Sequence, residues 1–170
     1  MALLKDGKLA EDIFLDVSAE DSLPADGAII VSLEQWQEHK AELRGRSDPL
    51  GIVLRSDQKP EAIADDLDAF ALVALDFPAF GDGRAYSSAR LLRERYGFAG
   101  ELRAVGDVLL EQLHFMHRVG FDAFLVASES AVRDWEIAAA DISVWYQATN
   151  DGRCSAIQLR HVEQAKAVNS

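Results

Sequence analysis

The chain has 170 residues, 49% of them hydrophobic and 27% charged, which is the composition of one globular domain and excludes a disordered chain. Seventeen basic side chains stand against twenty-nine acidic ones, a formal charge of −12; a protein that coats nucleic acid is excluded, because that affinity comes from basic groups releasing counterions. No apolar run approaches the roughly 20 residues that cross a bilayer, and Met1–Lys8 holds no apolar stretch of signal-peptide length. The single cysteine, Cys154, forms no internal disulfide. A cytoplasmic protein without membrane or nucleic-acid partners is expected.

Leu3-Leu4 and Leu9 flank Lys5-Asp6-Gly7-Lys8, and Asp-Gly between apolar residues signals a two-residue β-hairpin. Residues 1–17 are read as this hairpin, with Ile13-Phe14-Leu15 extending its pairing, and Ser18–Asp26 as a connector. From residue 28 to 142 short apolar runs alternate with amphipathic segments. Ala28–Val31 is a first buried strand, and Ser32-Leu33-Glu34-Gln35 has capping-box spacing for a helix towards Leu43. Gly51–Leu54 is a second strand, followed by a short helix from Pro60 through Ile63 and Leu67.

Phe70–Leu75 is a third strand ended by Asp76 and Pro78. Ser87 or Ser88 is expected to cap a helix through Leu91, Leu92 and Tyr96 that stops at Gly97. Leu102–Val105 is a fourth strand, and Asp107 caps a helix running to Gly120. Phe121–Val126 is a fifth, before a helix capped by Ser128 or Ser130 that reaches about Ile142. Residues 143–170 form a C-terminal arm. Continuous apolar strands alternating with helices predict a single α/β domain with a mainly parallel sheet of about five strands. A complete eight-unit barrel needs about 250 residues, so the sheet is open and doubly wound, or half-barrel-like.

The charge is uneven. Residues 1–79 hold 7 basic and 17 acidic side chains, and residues 104–170 hold 5 and 9. Residues 80–103 reverse the sign, with Arg84, Arg90, Arg93, Arg95 and Arg103 against Asp82, Glu94 and Glu101. Guanidinium groups suit oxyanions, although pairing with this chain's own acids accounts for such an island equally well.

Ligands of parallel sheets bind beyond the carboxyl ends of the strands. That rule selects Arg55-Ser56, the stretch Asp76–Ser88, Gly106-Asp107 and Ser128-Glu129. In Phe80-Gly81-Asp82-Gly83-Arg84-Ala85-Tyr86-Ser87-Ser88 two glycines permit a tight turn into a helix whose free N–H groups favour an anion. The run lacks the third glycine of a dinucleotide fingerprint and the Gly-Lys-Ser/Thr ending of a P-loop.

In the helix from Asp107, the residues Asp107, Glu111, His114 and Arg118 share one polar stripe at helical spacing. Most of the remaining circumference is apolar, so packing on two sides is expected. His117 falls on the apolar arc, as a hydrogen-bonded core or interface histidine; His114 belongs to the stripe as a salt-bridge member. Glu111 and His114 have Glu-x-x-His spacing, yet di-iron chemistry needs a second copy and further glutamates. No metal site is predicted. Nor does the sequence carry a flavin, nicotinamide or iron–sulfur signature, and no cofactor is assigned. Cys154, beside Arg153, is read as incidental.

The run from Leu75 to Gly97 (LDFPAFGDGRAYSSARLLRERYG), followed by Gly100–Asp107 (GELRAVGD) and Gly120–Phe124 (GFDAF), resembles the bacterial family catalogued as domain of unknown function 934. Its members are labelled probable oxidoreductases of sulfite reduction, because their genes lie beside those of sulfite reductase and phosphoadenylyl-sulfate reductase. The resemblance implies a role in assimilatory sulfur metabolism. It carries over Asp76, Phe80, Asp82, Gly83, Arg84, Tyr86 and Ser87, with Arg90, Arg95, Gly100, Arg103, Gly106 and Asp107.

Two readings follow. In one, the protein is an accessory to sulfite reductase or another sulfur-assimilation enzyme and docks through its broad apolar surfaces and its acidic N-terminal half, by charge complementarity. In the other, it is a small-molecule enzyme or oxyanion sensor. There Asp82, Gly83, Arg84, Tyr86, Ser87, Arg90 and Arg103 hold sulfite, sulfate or phosphate, and Asp76 or Asp107 accepts a proton. Convergence of the Asp76–Ser88 loop and Arg103 on one concave pocket favours the second; a flat apolar surface favours the first, or a homodimer.

Overall fold

Asp6 and Gly7, at φ 49° and 76°, make the turn between β1 (Ala2–Lys5) and β2 (Lys8–Ala10). Two consecutive positive φ angles are what a hairpin turn of the expected type requires. A computed structural model describes residues 1–127, together with 132, 133, 135, 136, 146, 149 and 154–161. The hairpin does not stand apart: β1 also pairs antiparallel with β8 (Ala123–Val126), Leu4 opposite Phe124. Gly7 is needed for space as well as for φ, since a Cβ there would enter the indole of Trp135.

The six strands β3 (Leu15–Asp16), β4 (Ile29–Ser32), β5 (Leu50–Leu54), β6 (Leu72–Phe77), β7 (Glu101–Gly106) and β8 are parallel neighbours in chain order. Among the described residues the sheet has eight strands in the order β2-β1-β8-β7-β6-β5-β4-β3. The expected five strands were therefore three too few: β1 and β2 join the sheet, and Leu15–Asp16 pairs with β4 instead of extending the hairpin. Unbroken sequential order contains no reversal of the kind a doubly wound sheet has. The half-barrel alternative is the one that holds.

Connectivity requires the curl. The outer strands of the sheet are β2 and β3, and only residues 11–14 join them. Seven interstrand spacings of about 4.8 Å would put the edges of a flat sheet about 34 Å apart. Five Cα steps reach about 18 Å at full extension. The sheet must bend until its two edges come within reach of this short bridge.

Crossovers of one hand between sequential strands place their helices on one face, the outer one. Ile29, Val31, Ile52, Leu54, Val73, Leu75, Phe77, Leu102, Ala104 and Phe124 point to that side and form the main core. Against them pack α1 (Leu33–Arg44), the 3₁₀ helix Pro60–Ala69, α2 (Arg84–Arg90) with its π-helical extension Leu91–Arg95, and α3 (Leu113–Arg118). Alternate residues face inwards, where Ile30, Leu72 and Ala74 make a smaller cluster with Phe14, Val53 and Val105.

The capping box at α1 forms as expected: Gln35 N–H donates to Ser32 Oγ (3.2 Å), and Ser32 N–H donates to Gln35 Oε1 (2.8 Å). Gln35 Nε2 also donates to the carbonyls of Val17 and Glu20, which fixes the connector between β3 and β4. Trp36 is buried edge-on to Phe70, with ring centroids 4.7 Å apart. Beside it the buried Asp66 accepts from Lys40 Nζ (2.6 Å) and Arg44 Nη1 (3.0 Å), so an ionic contact clamps α1 to the 3₁₀ helix.

Two expected caps are replaced. Ser87 and Ser88 lie inside α2, whose N-cap is Gly83, and Asp82 Oδ1 takes up the free N–H of Arg84 (3.2 Å). Asp107 opens no helix: Leu110–Gln112 is a 3₁₀ turn and α3 begins at Leu113. The helix expected from Ser128 or Ser130, and most of the arm 143–170, fall outside the described residues.

Candidate functional site

The inner face is divided by height along the strands. Near the strand starts it is filled. Arg103, 2% exposed, donates through Nε to Glu101 Oε1 (2.8 Å) and through Nη1 to Asp12 Oδ2 (2.7 Å). Phe14 lies against the same guanidinium, and Lys5 Nζ meets Glu101 Oε2 at 2.7 Å. The bridge that joins the sheet edges thus supplies both an acid and a ring to plug the bottom of the half-barrel.

At the carboxyl ends the inner face is open. Met1, Asp16, Ser18, Ala19, Ser32, Val53, Arg55, Gln58, Asp76, Val105, Gly106 and Leu125 line a cavity of about 430 Å³. Strand register explains the grouping. Leu54 pairs with Leu75, so Arg55 and Asp76 follow side by side, and Asp76 pairs in turn with Val105. The C-terminal mouth of a parallel barrel is where such folds place their chemistry.

Asp76 is half-buried in this mouth, and its carboxylate makes no hydrogen bond among the described residues. Desolvation pushes its pKa above the usual carboxylate value, the nearby Asp82 adds to the rise, and Arg55 opposes it. Gly106, at φ 91°, gives the carboxylate its room, since a Cβ there would stand 2.6 Å from Asp76 Oδ1 and inside the Phe77 carbonyl. Arg55 is committed elsewhere. Its guanidinium pairs with Glu34, and Gln58 closes the group by accepting from Arg55 N–H (2.8 Å) and donating to Glu34 (3.0 Å).

The loop after β6 does not face this mouth with its arginine. Arg84 forks onto Asp82, Nε to Oδ1 at 2.9 Å and Nη2 to Oδ2 at 2.6 Å, and Nη2 also reaches Ser56 Oγ at 2.9 Å. That fork holds the Asp82 carboxyl far below its ordinary pKa. Arg84, Ser87 and Ser88 border a second cleft of about 460 Å³ on the outer side, together with Lys59, Asp57 and Glu61. Tyr86 is packed between Phe77 and Phe115, each 5.3 Å away between ring centroids, and burial raises its pKa.

The predicted arginine constellation is therefore not assembled. Arg103 is sealed beneath the mouth, Arg84 is on the outer cleft, and Arg90 forms an exposed pair with Glu94 (2.9 Å). Arg93 is structural too, donating to the carbonyls of Gly120 (2.9 Å) and Gly100 (2.8 Å) and to Asp122 Oδ2 (2.8 Å). Asp107 Oδ2 accepts from Phe80 N–H at 2.9 Å, tying the loops after β6 and β7 together. Of the residues given a catalytic or ligand-binding role, Asp76 alone lines the mouth, joined there by Arg55 and Gly106 from the strand ends.

Nor is the polar stripe of the following helix a solvated face. His114 and Arg118 are buried, whereas Phe115 is half exposed. His117 hydrogen-bonds through Nδ1 to the Phe121 carbonyl (3.1 Å) and stands edge-on to Trp135, as its place on the apolar arc predicts. Cys154 is exposed. Among the described residues no three His, Cys, Asp or Glu side chains are grouped to hold a metal ion, and no helix is long and apolar enough to cross a membrane.

Sequence reasoning singled out Arg55 only by its place after a strand. It missed Asp16, in a strand of two residues too short to leave a signal, and Ser18 just beyond it.

No curated protein matches the chain. The model of the family described as bacterial protein of unknown function (DUF934) matches residues 51–157, more than half of the chain. That span runs from β5 through β8 and contains Val53, Arg55, Asp76, Val105, Gly106 and Leu125 of the mouth. The chain belongs to the DUF934 family.

Proposed function

We propose that this protein serves assimilatory sulfite reduction as an accessory protein, docking on sulfite reductase or another sulfur-assimilation enzyme through its acidic outer surface. The resemblance to a family encoded beside those enzymes supplies the setting. One observation supports docking: four of the five arginines in the positive island are paired internally, Arg84 with Asp82, Arg90 with Glu94, Arg93 with Asp122, and Arg103 with Glu101 and Asp12. The island that could have offset the remaining acids is used up within the fold. Residues 1–79 carry seventeen acidic side chains against seven basic ones, and Arg103 reaches back from the island to one of those acids, Asp12. A partner with a basic face is steered to such a surface, and salt weakens the encounter.

The test is co-purification with sulfite reductase at low and high ionic strength, with that enzyme's turnover measured with and without this protein. A complex that forms at low salt and loosens at high salt is expected. Absence of a complex together with unchanged turnover refutes the reading.

A further inference from the structure

We propose that the mouth of the half-barrel is a binding site for a small organic amine, held by its ammonium group on Asp76 and by its carbon skeleton on Val53, Val105 and Leu125. This goes beyond the docking role and does not depend on it. Four observations converge. The cavity of about 430 Å³ has the size of a small-molecule pocket, and it lies at the carboxyl ends of the parallel strands.

Its charges are asymmetric. The Arg55 guanidinium is consumed by Glu34, and Gln58 completes that cluster. Asp16 already accepts from Ser18 N–H (2.9 Å) through Oδ1. Asp76 is left as a half-buried carboxylate with no hydrogen-bond donor among the described residues, facing a cavity. A carboxylate held this way wants a donor, and a cationic one satisfies it best.

The upward shift of the Asp76 pKa arises first from desolvation and then from Asp82, with Arg55 opposing it; a cationic donor in the cavity relieves a carboxylate that burial has stripped of water. The walls supply the other half of the recognition. Val53, Val105 and Leu125 offer apolar surface beside Asp76, which suits a ligand whose charge is carried on a short hydrocarbon. Sulfite or sulfate, expected at Arg84 and Arg103, has neither property.

The experiment is an amide NMR titration of the full chain with n-butylammonium, using butyrate and n-butanol as probes of equal length with reversed and absent charge. Saturable shifts with butylammonium are expected at Val105, Gly106 and their strand neighbours, with at least tenfold weaker response to butyrate. Asp76→Asn, which replaces a carboxylate by a neutral group of the same shape, should fold and weaken butylammonium at least tenfold. Ser87→Ala, on the outer cleft, should leave it unchanged. Equal response to all three probes, shifts confined to other surfaces, or undiminished binding by Asp76→Asn overturns the proposal. None of these outcomes bears on whether sulfite reductase is bound.

Discussion

The carboxylate of Asp76 occupies space that a side chain at Gly106 would claim: a Cβ on residue 106 would lie 2.6 Å from Asp76 Oδ1. The two residues sit on adjacent strands at the lip of the cavity. Gly106→Ala would force a positive φ on a residue with a side chain and drive it into the Phe77 carbonyl. A loss of about 3 kcal/mol is expected, seen as a fall in melting temperature of about 10 °C for a chain of this size. An unchanged melting temperature would show that the strand ends relax freely.

Asp76 should also cost the protein stability at neutral pH. Its folded pKa is raised, so the native state keeps a proton that the unfolded chain has lost, and stability falls as pH rises from the unfolded value through the folded one. Asp76→Asn is expected to be more stable than the parent at pH 7 and equal to it below about pH 3.5, where both forms are protonated. Denaturation curves at the two pH values decide this; a destabilised Asn variant at pH 7 contradicts it.

Asp66 works in the opposite sense. The hydrogen bond from Lys40 is the main cause of its lowered pKa, ahead of contributions from Trp36 and Arg44. The stability it confers is present above about pH 4 and lost as pH falls through its folded pKa. Asp66→Asn should cost about 2 kcal/mol at pH 7 and progressively less in acid, as chemical denaturation across pH 2–7 would reveal. A cost that does not change with pH would mean the charge is immaterial.

Asp12 ties the bridge between the sheet edges to the buried Arg103. In Asp12→Ala the guanidinium keeps Glu101 but loses its second acid, a cost of about 1–3 kcal/mol. Faster amide exchange is expected at Leu15–Asp16 and at Lys8–Ala10, where the edges are held, with β6 unaffected. Uniformly faster exchange would indicate global destabilisation instead of a loosened bridge.

What could be read from the residues was local. The Asp6-Gly7 turn and the Ser32–Gln35 capping box rely on side chains acting within four residues, and both form as read. The apolar run Phe70–Leu75 does not by itself say where pairing starts; the strand is Leu72–Phe77, two residues later, and includes Asp76. Ser87 looked like a cap until Asp82 and Gly83, upstream, did that work. Arg103, expected from the sequence to hold an oxyanion, shows what one dimension conceals: only the curl of the sheet brings Asp12, ninety-one residues away, onto its guanidinium. The candidate site was half legible for the same reason. A strand end is visible in one dimension, whereas the side-by-side placement of Arg55, Asp76 and Val105 depends on register.

The pairing of β1 with β8 sets Leu4 opposite Phe124, a separation of about 120 residues along the chain. Contacts so far apart are reached late, since loop closure must precede any gain from them. The hairpin can form within microseconds, but Leu3 on the inner face and Leu4 on the outer one, both buried in the finished fold, have no strand to lie beside until β8 is in place. Assembly of this sheet is thus expected to be slow and cooperative. During translation, β1 must wait for β8.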